Sequence, residues 1–382
     1  MTEQLVYLDH AATTPMRQVA VDAMLPLLAE GFANPSGAHR FARQARRAVD
    51  DARDRIAAIV GCLPGEVVFT SGGTESDNAA IAGTVWRHGG VPVCAAAEHH
   101  GVLNVVERHH GRVVGADRYG RTDLDQLAAA LGDDVSIVSV MAVNNEVGSI
   151  NDLRAAAAVV RASAPTALLH TDAVQAPCWL DLRQLWPHVD LMSLSAHKFG
   201  GPKGVGALVV RKGVAIDPLL VGGGQERDRR SGTHNVPGIV AMAAALGATD
   251  VERVDECARI AVLRDRLVAG LLDTVADVRQ TVPGDVKVAG GAHVCVEGVE
   301  SESLLFLLDE AGLCASAASA CASGAMEPSH VLAAMGVEPR WAAGALRMTL
   351  GRTTTDVDVD RAIDILTAAI TTLRARAPQV AR

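Results

Sequence analysis

Aromatic side chains are nearly absent: five Phe, four Trp and two Tyr among 382 residues. Any core must therefore be assembled from Ala, Val, Leu and Ile. The seven cysteines are an odd number, widely scattered and without a CxxC pair, which argues against a disulfide framework or a structural zinc site. Their thiols read as small core residues in a reducing compartment, and the cytoplasm is the expected location. No apolar run approaches the roughly 18 residues of a membrane span, and the start, MTEQLVYLDHAATTP, lacks a charged-then-apolar leader pattern. Basic residues form no tail or block, and the formal net charge is −9. That balance excludes a nucleic-acid surface as the main business of the chain.

What is present is alternation. Short apolar runs such as EVVFTSG, VPVCAAAEH, TALLHTDAVQ, DLMSLSAHK and GVGALVVRK are separated by amphipathic or Ala-rich stretches. Strands without polar alternation are buried on both faces, the pattern of a parallel sheet covered by helices. The expected fold class is α/β. The chain is long enough for two domains: a large α/β domain over 14–250 and a small α+β domain over 251–382, with residues 1–13 packing on the latter.

In such sheets ligands collect at the carboxyl ends of the strands, and several runs end in polar residues: Thr74–Glu75, Glu98–His99, Asn144–Glu146, Asp172 and His197–Lys198. In SAHKFGGPKG, Lys198 is flanked by Ser195 and His197, a setting that suits a Schiff-base lysine beside anion-holding donors. By itself the segment is as compatible with a surface lysine in a Gly/Pro turn. TSGGTESDN runs from a strand through Gly72, Gly73 and Thr74 into a helix whose first N–H groups form a phosphate cradle. A plain capping box reads the same way. Asp172 in HTDAVQA suits a partner for a protonated pyridine nitrogen, with Gln175 nearby; it equally suits an N-cap. His99 in AAEHHGVL offers an imidazole for stacking and proton movement near neutral pH, and no third ligand is spaced to make a metal site of the pair His99–His100.

Taken in order, YLDHAATTP, NPSGAH, FTSGGTESDN, AEHHGVL, VNNEVG, HTDAVQA, SAHKFGGPKGVGAL, GGGQERDRRSGT and SACASG…PSHVL closely resemble the cysteine desulfurases of the iron–sulfur-assembly type. These lie within the class V aminotransferase-like enzymes of pyridoxal 5'-phosphate (PLP) fold type I, and the resemblance spans nearly the whole chain. It implies a mostly parallel sheet flanked by helices plus a smaller C-terminal domain. Residue by residue, it implies Lys198 as the Schiff-base lysine, Asp172 as partner of the pyridine nitrogen, His99 as the stacking histidine and Gln175 as the contact to the ring hydroxyl. Gly73, Thr74, Ser195 and His197 match phosphate ligands. Thr233 matches a threonine that reaches the other subunit's cofactor, which implies a homodimer. Asn145 and Arg347 match the binders of the substrate carboxylate, and Asn34 matches a further active-site asparagine.

Cys321 decides the reaction. Without the resemblance it reads as a small packed hydrophobe, the usual fate of a free cysteine. With it, Cys321 receives sulfur from L-cysteine as a persulfide, L-alanine leaves, and the sulfur passes to an acceptor: an iron–sulfur scaffold, a tRNA-thiolating enzyme or a biosynthetic sulfur carrier. The alternatives within the same fold are a selenocysteine lyase, a C–S lyase or another class V PLP enzyme. The resemblance implies no metal and neither a nucleic-acid nor a membrane partner.

Overall fold

The computed structural model describes residues 5–317 and 329–376. Twelve strands among the described residues are numbered in chain order. β1 is Val6–Tyr7, β2 Val67–Thr70, β3 Val91–Ala95, β4 Arg112–Val114, β5 Val135–Ser139, β6 Leu168–Asp172, β7 Leu191–Ser195 and β8 Gly206–Val210. β9 (Val278–Gln280), β10 (Gly291–Val296), β11 (Leu313–Cys314) and β12 (Ala345–Thr349) follow. The first four helices are α1 (Gln18–Ala29), α2 (Arg40–Val60), α3 (Gly73–His88) and α4 (His100–Arg108).

Seven strands form the central sheet in the order β2-β8-β7-β6-β5-β3-β4. The pairs from β7 through β6, β5 and β3 to β4 are parallel. β8, however, runs antiparallel to both β7 and β2, so the sheet is mostly parallel as expected, with one strand reversed. The sequence does not mark the reversal: a strand buried on both faces reads as apolar in either direction. Every residue of β7 and β8 is buried.

α2 shows how local sequence sets a helix against this sheet. Ala42, Ala45, Val49, Ala52, Ile56 and Val60 are buried at helical spacing, His39 Nδ1 accepts from Ala42 N at the start, and Gly61 ends it at φ 80. The long helix Val236–Thr274 carries Asn235 as N-cap, its side chain accepting from Gly238 N. It spans roughly 58 Å at 1.5 Å per residue and runs unbroken through residue 250. Its residues up to Leu246 pack into one apolar core with the central sheet. From Ile260 to Leu271 they pack into a second core with Val6, Leu8, β10, β12 and the last helix, Asp356–Arg376. A three-stranded antiparallel sheet, β12-β10-β9, lies in that second core, and β1 pairs parallel with β11 beside it. No helix among the described residues is long and apolar enough to cross a membrane.

One loop is held against its own backbone preference. Glu226, Arg227 and Asp228 all take positive φ, at 49°, 57° and 61°, which costs roughly 1–2 kcal/mol per non-glycine residue. Glu226 holds them there. Its buried carboxylate takes two hydrogen bonds from Arg53 (2.6 and 2.8 Å), one from Phe69 N (2.9 Å), and sits 2.6 Å from His234 Nε2. Arg53 also lies over the Phe69 ring, 4.6 Å from its centroid. Burial works to raise the Glu226 pKa, but the bonds from Arg53 and His234 prevail and bring it down to about 2. Glu226→Ala strands Arg53 as an unpaired buried cation, and a loss of about 3–5 kcal/mol is expected, read as a lower urea midpoint. Because the folded pKa lies below the unfolded value near 4.5, this stabilisation is complete above about pH 4.5 and vanishes as pH falls towards 2. Unaltered protein therefore loses urea resistance over that window more steeply than Glu226→Ala does.

Candidate active site

The carboxyl ends of β5, β6 and β7 and the amino end of α3 open onto one cleft of about 350 Å³. At the end of β2 the chain turns through Gly72, whose φ 153 and ψ −174 only glycine adopts readily. The space here is equally restrictive: a Cβ on the facing Gly206 would lie 2.7 Å from Gly72 Cα. The turn delivers Gly73 and Thr74 as the first residues of α3, with their N–H groups at a helix N-terminus. Glu75 accepts from Ser71 N and from Arg230, tying the strained loop to this helix start.

β7 ends at Ser195 and passes through a single 3-10 turn that carries His197 and Lys198. Lys198 Nζ donates to the carbonyls of Ala11 (2.5 Å) and Ala12 (2.9 Å). No carboxylate pairs with it directly. Burial, then the Arg347 charge, lower its pKa to about 8, against the opposing pull of Asp172 and Asp9. His197 packs with Nδ1 3.2 Å from Thr13 Oγ1, and its pKa falls to about 4 through burial and the Lys198 charge.

β6 ends at Asp172, which is buried and accepts from Val174 N at 2.8 Å. Burial raises its pKa, opposed by the charges of His99 and Lys198. His99 caps α4, its Nδ1 accepting from Gly101 N at 3.0 Å. Desolvation lowers its pKa, Asp172 works to raise it, and Lys198 and the neighbouring histidines lower it again. Gln175 donates to Ala11 O at 2.8 Å.

Arg347 enters from β12, in the second core. Nη1 donates to Asn145 O at 2.9 Å and Nη2 to Asp9 Oδ1 at 2.8 Å. Arg347 Nε and Asn145 Oδ1 are both buried without a hydrogen-bond partner among the described residues. Two adjacent unmet polar groups in a cleft suit an incoming carboxylate and ammonium. Glu146, next along, accepts from Ser329 Oγ at 2.5 Å and is raised to about 7, chiefly by burial.

Of the residues expected from sequence, Gly73, Thr74, His99, Asn145, Asp172, Gln175, Ser195, His197, Lys198 and Arg347 all line this one cleft. Asn34 and Thr233 do not line it. Asn34 is exposed, its side chain accepting from Ser36 N, and Thr233 is exposed at the end of the strained loop. Cys321 lies outside the described residues. Sequence reasoning flagged Glu146 only as part of the polar strand end Asn144–Glu146, and missed Asp77, Asp9 and the Ala11 and Ala12 carbonyls. Asp77 stands three residues after Thr74 in TESDN, where it reads as a helix-start acid, and its burial is not written in the pattern.

The donor set fits PLP. A glycine-lined helix start with Ser195 and His197 beside it suits a phosphate, a buried carboxylate with no direct cation partner suits a pyridinium, and a lysine with a lowered pKa suits an aldehyde. An aminotransferase class-V profile matches residues 6–362. The chain is 41% identical to a cysteine desulfurase IscS of Methanosarcina thermophila, over 98% of this chain and 94% of that one. It is 43% identical to an IscS-like cysteine desulfurase of Mycobacterium tuberculosis, over 97% of each. A solved NifS-like protein matches with a TM-score of 0.90 at 33% identity, covering 97% of this chain and 100% of that one. The chain therefore belongs to the aminotransferase class-V family, through a match that includes the cleft and both cores.

Proposed function

We propose that this protein is a PLP-dependent cysteine desulfurase, and that Lys198 and Cys321 are its two reacting side chains. The fold is PLP fold type I, and PLP dependence belongs to the class-V family as a whole. The observation that carries the reading is the cleft itself: a desolvated lysine and a buried aspartate on neighbouring strand ends, with an arginine fork opposite, in a chain similar to desulfurases over almost its full length. When bound, the cofactor supplies an electron sink that lets the α-carbon of an amino acid give up its proton.

The chain's own residues do the rest. Gly73, Thr74, Ser195 and His197 would hold the phosphate, and Asp172 would keep the ring nitrogen protonated. His99 and Gln175 would meet the ring, the first through its imidazole face and the second at the hydroxyl. Arg347 and Asn145 grip the carboxylate of L-cysteine, Arg347 through its planar fork. Thr233, which does not line this chain's cleft, serves the phosphate site of a second copy, so the working unit is a homodimer. Lys198, with its pKa near 8, carries the α-proton away in its uncharged form and returns a proton later. The Cys321 thiolate attacks the substrate sulfur, the carbon–sulfur bond breaks, and protonation of the remaining carbon skeleton gives L-alanine. Sulfur stays on Cys321 as a persulfide, in the oxidation level at which an acceptor's thiolate can take it. A cytoplasmic acceptor protein of iron–sulfur assembly, tRNA thiolation or cofactor biosynthesis is the partner.

Three measurements test this. Lys198→Ala, reconstituted with PLP, is expected to lack the yellow absorbance of a lysine-bound cofactor; an unchanged lysine adduct overturns the assignment. In the unaltered protein, the uncharged fraction of Lys198 grows as pH climbs, so PLP uptake should speed up from about pH 6 through a midpoint near pH 8 and level off above about pH 9. Cys321→Ala is expected to lose desulfuration of L-cysteine by at least about 100-fold while still taking up PLP. Alanine and sulfide formed at the full rate would instead indicate a C–S lyase that needs no cysteine.

A further inference from the structure

Beneath the cleft the protein buries more acid than it has cation to balance. Asp77, on α3, is 1% exposed, and Glu98, beyond the end of β3, is fully buried. One oxygen of Asp77, one of Asp172 and one ring nitrogen of His99 lie within 4.8 Å of one another. Asp77 Oδ1 is buried with no hydrogen-bond partner among the described residues. The basic group on the remaining side is His170, whose Nε2 stands 3.6 Å from Asp77. It does not supply a charge. His170 is fully buried between Ser139 Oγ (2.8 Å) and Ser193 Oγ (2.9 Å), and burial takes its pKa down to about 3.

The groups facing Asp77 are therefore Asp172 and His170 from β6, Ser193 from β7, and Glu98 and His99 from the β3–α4 turn. Lys198 acts on Asp172 and His99 from the cleft side. Burial, then Asp172, raise the Asp77 pKa well above its usual range, with Glu98 adding to the effect and Ser193 opposing it. Glu98 is brought up to about 8, by burial and then Asp172. Two carboxyl groups this close in a dry site share one proton as a rule.

We propose that Asp77 is a positioning residue held uncharged beside Asp172, so that the buried cluster keeps one negative charge and keeps it on the carboxylate facing the ring nitrogen. The proposal rests on the PLP reading of the cleft. A neutral Asp77 carboxyl leaves Asp172 as the only anion a ring-nitrogen proton meets. An ionised Asp77 would divide that attraction between a group that faces the ring and one behind it. As a carboxylic acid, Asp77 also brings an O–H donor to a place where Asp172, Ser193 and His170 present acceptors.

Infrared difference spectra at pH 7 between the full-length protein and Asp77→Asn, both stripped of cofactor, read the charge state directly. The expected result is loss of one protonated-carboxyl band with the carboxylate bands unchanged; Glu98→Gln identifies the second protonated band. Loss of a carboxylate band in Asp77→Asn overturns the proposal. In the loaded enzyme, Asp77→Asn, which keeps a neutral donor, should leave the pH midpoint of cofactor absorbance within about 0.3 units of the parent. A shift of about one unit or more would mean a charge was removed. Asp77→Leu, folded by circular dichroism, should lower kcat roughly tenfold at little-changed KM. A Leu variant equal to the parent in both constants also overturns the proposal. Failure of the unaltered protein to bind PLP would sink the cofactor reading alone, since the infrared result stands without it.

Discussion

The cleft is organised by a scarcity of charge compensation. Asp77, Glu98 and Asp172 are buried at the floor of the cleft, and the charged cations near them, Lys198 and Arg347, stand on the cleft side only. Two unit charges 4.8 Å apart repel by roughly 3 kcal/mol even at an effective dielectric constant of 20, so the floor holds few anions at neutral pH. The same dryness acts in reverse on Lys198, which loses part of its hold on a proton because only the Ala11 and Ala12 carbonyls receive it. A base that is partly uncharged near neutrality and an anion buried below it are two results of one desolvated volume.

The fold creates that volume by where it ends its strands. β5, β6 and β7 are parallel neighbours, so their carboxyl ends lie side by side, and each hands over a short polar turn. His170 and Asp172 are two residues apart on β6 and therefore share a face, the face that α3 covers with Asp77. The register sets Ser139 opposite His170 and Ser193 opposite Asp172, which is why His170 finds a hydroxyl on each side and needs no charge. The His170–Asp172 part of the polar floor is thus a property of strand pairing, to which α3 adds Asp77 and the β3–α4 turn adds Glu98.

Much of this was legible before any coordinates. Lys198, Asp172 and Thr74 announce themselves because each follows directly on an apolar run, where a strand end in an α/β sheet is the expected place for a ligand. The direction of β8 was not legible, since a strand buried on both faces carries no mark of its orientation. Asp77 was hidden for a different reason. An acid near a helix start is ordinarily a solvated partner of the helix dipole, and only the packing of α3 onto β6 and β7 turns it inward. Asp9 and the Ala11 and Ala12 carbonyls were hidden because their role depends on a contact between segments almost 190 or more residues apart in the chain.

That last contact explains why one site draws on two cores. Lys198, Asp172 and Gly73 are held by the central sheet, whereas Arg347 stands on β12 and Asp9 bridges to Thr349 of the same strand. The N-terminal segment joins the two: Val6 and Leu8 are buried in the second core, and three residues later Ala11 O receives both Lys198 Nζ and Gln175 Nε2. Asp9, lying between, takes one arm of Arg347. A carboxylate arriving at Arg347 meets a guanidinium already oriented by Asp9 and Asn145 O, with Nε still unmet. Orientation of this kind lowers the entropy lost on binding, because the fork is fixed before the ligand comes. It also ties the Arg347 fork to the same short stretch of chain that meets Lys198. A shift of the second core against the first would move the Arg347 fork and the Ala11 and Ala12 carbonyls together, while Lys198 stays with the central sheet, so the two hydrogen bonds to Lys198 are what tie one core to the other at the cleft.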